Sequence, residues 1–102
     1  MEKKIFFRQG DIAFEKIDKI PAGLVQKGTE LKIEGEKTGH NHLMQGVQVL
    51  LPPRQTEIVP AVIVVPEEGA EMNHPEHEKL SLEAGTFRVT RFREFQNPKP
   101  VD

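Results

Sequence analysis

Glycine and proline break this chain so often that no segment sustains helical periodicity for three turns. The pieces between the breakers alternate instead. Ile12 and Phe14 share one face of residues 11–17, and Pro21 and Gly23 then turn the chain. Leu31-Lys32-Ile33-Glu34 alternates and stops at Gly35, and Val47, Val49 and Leu51 alternate up to Pro52-Pro53. Residues 58–65 are β-branched almost throughout, which predicts a strand covered on both faces. Pro60 places the beginning of that strand at an edge or a bulge, where a second copy of the chain could pair to form a homo-oligomer. Leu80-Ser81-Leu82 alternates again before the turn Glu83-Ala84-Gly85. Residues 86–95 read as the last long strand. There Phe87 and Val89 are in phase with Arg91, Arg93 and Phe95 while Phe92 is not, which predicts a bulge near Arg91 or cover on both faces. Residues 96–102 read as a frayed tail. The expectation is an all-β fold, a single domain over residues 1–102, built as a small antiparallel β-barrel or sandwich of six or seven strands. Its expected core includes Ile12, Phe14, Val49, Ile63, Val65, Leu82, Phe87 and Val89.

Several classes of function are disfavoured by what the chain lacks. Cysteine is absent, which removes disulfides, thiolate metal sites and thiol catalysis together. The first apolar cluster, Ile5-Phe6-Phe7, is too short for a secretory core, and the apolar run 58–66 is interrupted by Pro60 and far below a membrane span. A soluble, cytoplasmic protein with no membrane partner is expected. Fourteen basic against sixteen acidic residues leave a formal net charge of −2, so nucleic acid is not an expected partner. Ser81 lacks the flanking glycines of a nucleophile elbow, and Gly35-Glu36-Lys37-Thr38-Gly39 lacks the order of a phosphate-binding loop.

The four histidines fall in two short clusters, Gly39-His40-Asn41-His42 and His74-Pro75-Glu76-His77. In an extended segment His40 and His42 point to one side, because strand side chains alternate with period two. His74 and His77 converge if the chain turns tightly between them, since residues three apart eclipse in a 3₁₀ turn. Brought together, the pairs make a four-nitrogen pocket suited to a divalent transition metal; zinc, nickel, iron and copper all accept imidazole. The bland alternative is a set of solvated or structural histidines. Residues 67–78 hold five glutamates, two histidines and no basic residue, and read as a loop whose field favours a cation. Glu36 could orient an imidazole or stand as a surface glutamate in a charged turn, Gly39 could take a positive φ or let the backbone approach closely, and Thr38 could hold that turn.

Three uses of such a site compete. In one, three histidines hold the metal, a water or small-molecule substrate completes it, and the fourth histidine or Glu76 moves protons. In another, all four close the shell and the metal is structural, making the protein a binding or assembly module. In the third, no metal is bound, and Arg88, Arg91 and Arg93 on the last strand contact an anion, although alternating arginines are more often a solvated face. The sequence names no reaction.

Gln9-Gly10-Asp11-Ile12, Pro21-Ala22-Gly23, the 35–42 stretch with its Thr38-Gly39-His40-Asn41-His42, His74-Pro75-Glu76-His77, Leu82-Glu83-Ala84-Gly85-Thr86-Phe87-Arg88-Val89 and Arg93-Glu94-Phe95 together resemble an uncharacterised family of small bacterial, mobile-element-associated proteins with a Thr-Gly-His-x-His motif. That resemblance implies one complete domain with the histidines at its characteristic site, and no activity. A weaker likeness is to the cupin superfamily, whose first motif carries His-x-His on a barrel strand, matched here by His40 and His42. It implies iron, manganese, nickel or zinc. Gly35 stands one residue closer to His40 than in cupins, and Gly46 and Val47 occupy the place of the expected glutamate. The second cupin motif is absent, so only His74 or His77 could supply its histidine.

Overall fold

The computed structural model describes residues 6–34, 41–75 and 77–91, and in them the alternating pieces become eight strands. In chain order these are β1 (Phe6–Gln9), β2 (Ile12–Ile17), β3 (Val25–Glu34), β4 (Asn41–Leu51), β5 (Ala61–Val65), β6 (Ala70–His74), β7 (His77–Leu82) and β8 (Gly85–Arg91). All pairings are antiparallel, and the main path of the sheet runs β1-β2-β8-β5-β4-β6-β7, with β3 on β4. His40 and the Thr38-Gly39 turn, Glu36, Glu76, Phe92, Arg93, Phe95 and the 96–102 tail lie outside the described residues.

β4 organises the sheet because it pairs along both edges. β3 follows it from Glu34↔Asn41 to Val25↔Leu51. The opposite edge is shared: β6 takes its start through Leu43↔Asn73 and Met44↔Met72, and β5 takes its end through Gln48↔Val64 to Leu50↔Val62. Between those halves Gly46 adopts φ +80°, a left-handed conformation that glycine alone reaches without strain. The β3 register shifts opposite the same place. The bend sends one half of β4 toward the β6–β7 hairpin and the other toward β5, β8, β2 and β1.

Every residue of the expected core is buried, and Leu31, Ile33, Met44, Val47, Leu51 and Met72 join it. Three expectations are corrected. Residues 67–78 are not a loop: they hold β6 and the start of β7, because Met72, fully buried, is set between Met44 and Leu80 by cross-strand pairing. The strand after Pro60 is not an edge, since β5 is paired on both sides by β4 and β8, and Pro60 precedes its first ladder residue. The β2–β8 ladder runs unbroken from Ile17↔Thr86 to Ile12↔Arg91, and the choice between a bulge near Arg91 and cover on both faces turns on Phe92, Arg93 and Phe95, outside the described residues. The strand count is eight among the described residues rather than six or seven.

β1 and β7 are the two ends of the sheet path, and no ladder joins them among the described residues. They are held by a side chain. The Gln9 amide nitrogen donates to the Met72 carbonyl at 2.9 Å and the Glu78 carbonyl at 2.8 Å, closing the sheet nearly into a barrel.

Candidate functional site

Gln9 and His42 are the buried polar side chains among the described residues, and they are bonded to each other. Gln9 ends β1 in phase with Phe7, so the alternation aims a polar group at the interior. Both hydrogens of its amide nitrogen go to main-chain carbonyls, which leaves its oxygen as an acceptor. His42 Nδ1 stands 2.9 Å from that oxygen and therefore carries the ring proton. The consequence is chemical: Nε2 of His42 presents a lone pair.

That lone pair faces a carboxylate. Asp11 Oδ1 lies 3.4 Å from His42 Nε2, and Asp11 Oδ2 accepts from Arg91 Nη1 at 2.7 Å. Arg91 Nη2 also donates to the Glu34 carbonyl at 3.0 Å, so the guanidinium fixes Asp11 against β3. Burial, reinforced by the neighbouring His74, lowers the His42 pKa from 6.5 to about 4, against the pull of Asp11 in the other direction. His42 is thus a neutral imidazole at physiological pH.

His74 and His77 complete the cluster. Their ring centroids are 4.4 Å apart, His74 is 4.4 Å from His42, and His77 is 5.9 Å from His42. The convergence comes from strands rather than a 3₁₀ turn: His74 and His77 are cross-strand partners in the β6–β7 hairpin, after a register shift beyond Met72. Three of the four sequence-expected histidines meet, and His40 lies outside the described residues. Among those residues, no three or more His, Asp or Glu side chains are already disposed to hold a metal ion, so the rings are gathered but their donor atoms do not yet converge.

The β1–β2 turn packs directly on the cluster. Gly10 takes φ +58°, Arg8 Nε donates to its carbonyl at 2.9 Å, and a Cβ there would stand 2.7 Å from His77 Nε2 and 3.3 Å from His42 Cε1. Gly10→Ala is expected to lower stability by about 1–2 kcal/mol from left-handed backbone strain alone, measured by urea unfolding, and to push the His77 ring aside. An unchanged midpoint would show that the turn relaxes.

The arginine surface expected on β8 does not form among the described residues. Arg88 and Arg91, three apart on a strand, fall on opposite faces; Arg88 faces Glu15 at 3.6 Å while Arg91 is committed to Asp11. Gln9, Gly10 and Asp11 are the site residues that sequence reasoning did not select. The signal was there: a glutamine in the phase of the core, followed by Gly-Asp between two short strands.

Fold and site together define a small antiparallel β-domain, nearly closed into a barrel, that gathers histidines where its first and last sheet strands meet. Residues 8–92 match a family described as a domain of unknown function (DUF8820), and the chain belongs to that family. The matched span includes Gln9, Asp11, all four histidines and Arg91. No curated protein and no solved structure matches it. No helix among the described residues is long and apolar enough to cross a membrane.

Proposed function

We propose that the protein binds a divalent transition metal through His42 Nε2, His74, His77 and Asp11, with His40 as a further donor from the adjoining segment. One observation carries this reading: a lone-pair nitrogen and a carboxylate oxygen held 3.4 Å apart by partners on their far sides. Such a pair repels unless a cation sits between. A proton does not serve at neutral pH, because the His42 pKa lies near 4. Two donors on a tetrahedral ion with bonds of about 2.0–2.1 Å stand roughly 3.3–3.4 Å apart, which matches the spacing. Imidazoles sharing that ion have centroids about 5 Å apart, and the observed values of 4.4–5.9 Å bracket it. Rotation of the His74 and His77 rings is needed to aim their nitrogens. Gln9 acts behind His42 as the partner that sets its tautomer, the usual arrangement for a metal-bound imidazole. A mixed histidine–carboxylate set suits zinc, iron or manganese more directly than copper or nickel.

The test is metal content of protein purified without a nickel column, followed by zinc affinity of His42→Ala, His77→Ala and the double variant. Each single change is expected to weaken binding at least about tenfold, with the double variant deviating from additivity by roughly 0.5–3 kcal/mol. Strict additivity, with melts showing folded protein, would mean that the two histidine clusters do not share an ion.

A further inference from the structure

His74 and His77 also border an open cleft of about 650 Å³, within the volume range of small-molecule sites. Its floor is a row of cross-strand neighbours on the outer face of the sheet, Lys32 on β3, Leu43 on β4 and Asn73 on β6, with Lys79 beyond on β7. His74, Pro75 and His77 form the end nearest the cluster. Among the described residues its wall contains two lysines and no carboxylate, in a chain whose net charge is −2. Lys79 has a partner outside the wall, Glu71 at 3.4 Å, but each is about half exposed at 53%, and ion pairs of that kind exchange readily for a better-placed anion. Leu43 and Pro75 supply apolar surface that inorganic anions would not use.

We propose that this cleft binds a small organic carboxylate, its charge held by Lys32 and Lys79 and its apolar body on Leu43 and Pro75. The proposal rests on the metal reading only for what lies at the cleft's inner end: a ligand seated there abuts the metal held by His74 and His77. The substrate or ligand class of the centre is then a carboxylate of a few carbons.

Amide chemical shifts of the labelled protein test it, with isovalerate as the probe and isovaleramide, acetate and inorganic phosphate as comparisons, in chelator and with zinc. Isovalerate is expected to give saturable shifts at Lys32, Leu43, Asn73 and Lys79. Isovaleramide should bind about tenfold more weakly, having lost the charge-assisted bonds, and Lys32→Ala with Lys79→Ala should weaken isovalerate to a similar degree. Acetate, which lacks the apolar body, is expected to bind several-fold more weakly. The proposal is overturned if isovalerate shifts no cleft amide in either form, if isovaleramide or acetate binds equally well, or if phosphate competes at the same affinity. Saturable isovalerate binding without any zinc uptake leaves the cleft standing and removes the metal reading. Zinc uptake without isovalerate binding does the reverse.

Discussion

Gln9→Leu is expected to destabilise the protein by about 3–9 kcal/mol in urea unfolding, since three buried or half-buried groups lose their partner at roughly 1–3 kcal/mol each. Those groups are the Met72 carbonyl, the Glu78 carbonyl and the His42 Nδ1–H. Leucine is close to glutamine in size, so the loss reports hydrogen bonds rather than a cavity. Against a typical domain stability of about 5–15 kcal/mol, it brings the protein near its unfolding threshold. Gln9→Glu sharpens the test, because a carboxylate of the same shape cannot donate to two carbonyls and is repelled by both. It is expected to be no more stable than the leucine variant at neutral pH. Gln9→Leu also releases His42 from its fixed tautomer, which is expected to weaken metal binding about 10–100-fold in whatever fraction stays folded, whereas the Gln9→Glu carboxylate still accepts from His42 Nδ1–H. A change in stability below about 1 kcal/mol for Gln9→Leu would show that β1 and β7 hold together without the glutamine.

Acid is expected to remove up to about 3.5 kcal/mol from the metal-free protein through His42 alone. Its folded pKa of about 4 lies below the ordinary 6.5. Between those values the unfolded chain binds the proton and the folded chain does not, so stability rises with pH in that window. The contribution is fully present above pH 6.5 and is lost as pH falls toward 4. A difference of 2.5 pH units (6.5 minus 4), at about 1.4 kcal/mol each, sets the size. Urea midpoints in chelator at pH 7.5 and 4.5 measure the drop, and the His42 ring proton resonances give the midpoint directly. Titration of His42 near 6.5 would sink the prediction. Bound metal should steepen the loss, since protons and the ion compete for the same nitrogens.

The sequence disclosed the core more fully than the site. Alternation is a local signal, and it located Ile12, Phe14, Val49, Ile63, Val65, Leu82, Phe87 and Val89 inside. It failed at β6, where a single buried Met72 is flanked by Glu71 and Asn73, and the surrounding glutamates gave the stretch the composition of a loop. Histidine clustering pointed to three residues that do meet. The rest of the site depends on sheet closure, which no local pattern encodes. Gln9 reaches His42 across 33 positions, Met72 across 63 and Glu78 across 69, and Arg91 reaches Asp11 across 80. A glutamine, a glycine and an aspartate in a turn look ordinary until those separations are folded away.

The fastening of β1 to β7 by one side chain has a bearing on the order in which the molecule assembles. Hairpins β1–β2 and β6–β7 form from near neighbours, whereas their junction requires nearly the whole chain and so is expected late. Nothing can be ligated by His42, His77 and Asp11 together before that step, so on the proposed metal reading uptake would report completed folding rather than template it. By the same reasoning the junction is where the native protein first comes open. Backbone hydrogens of β1 and β7 are expected to exchange with solvent well ahead of those in β4, β5 and β8, and ligands that bridge the seam should slow the former while leaving the latter unchanged.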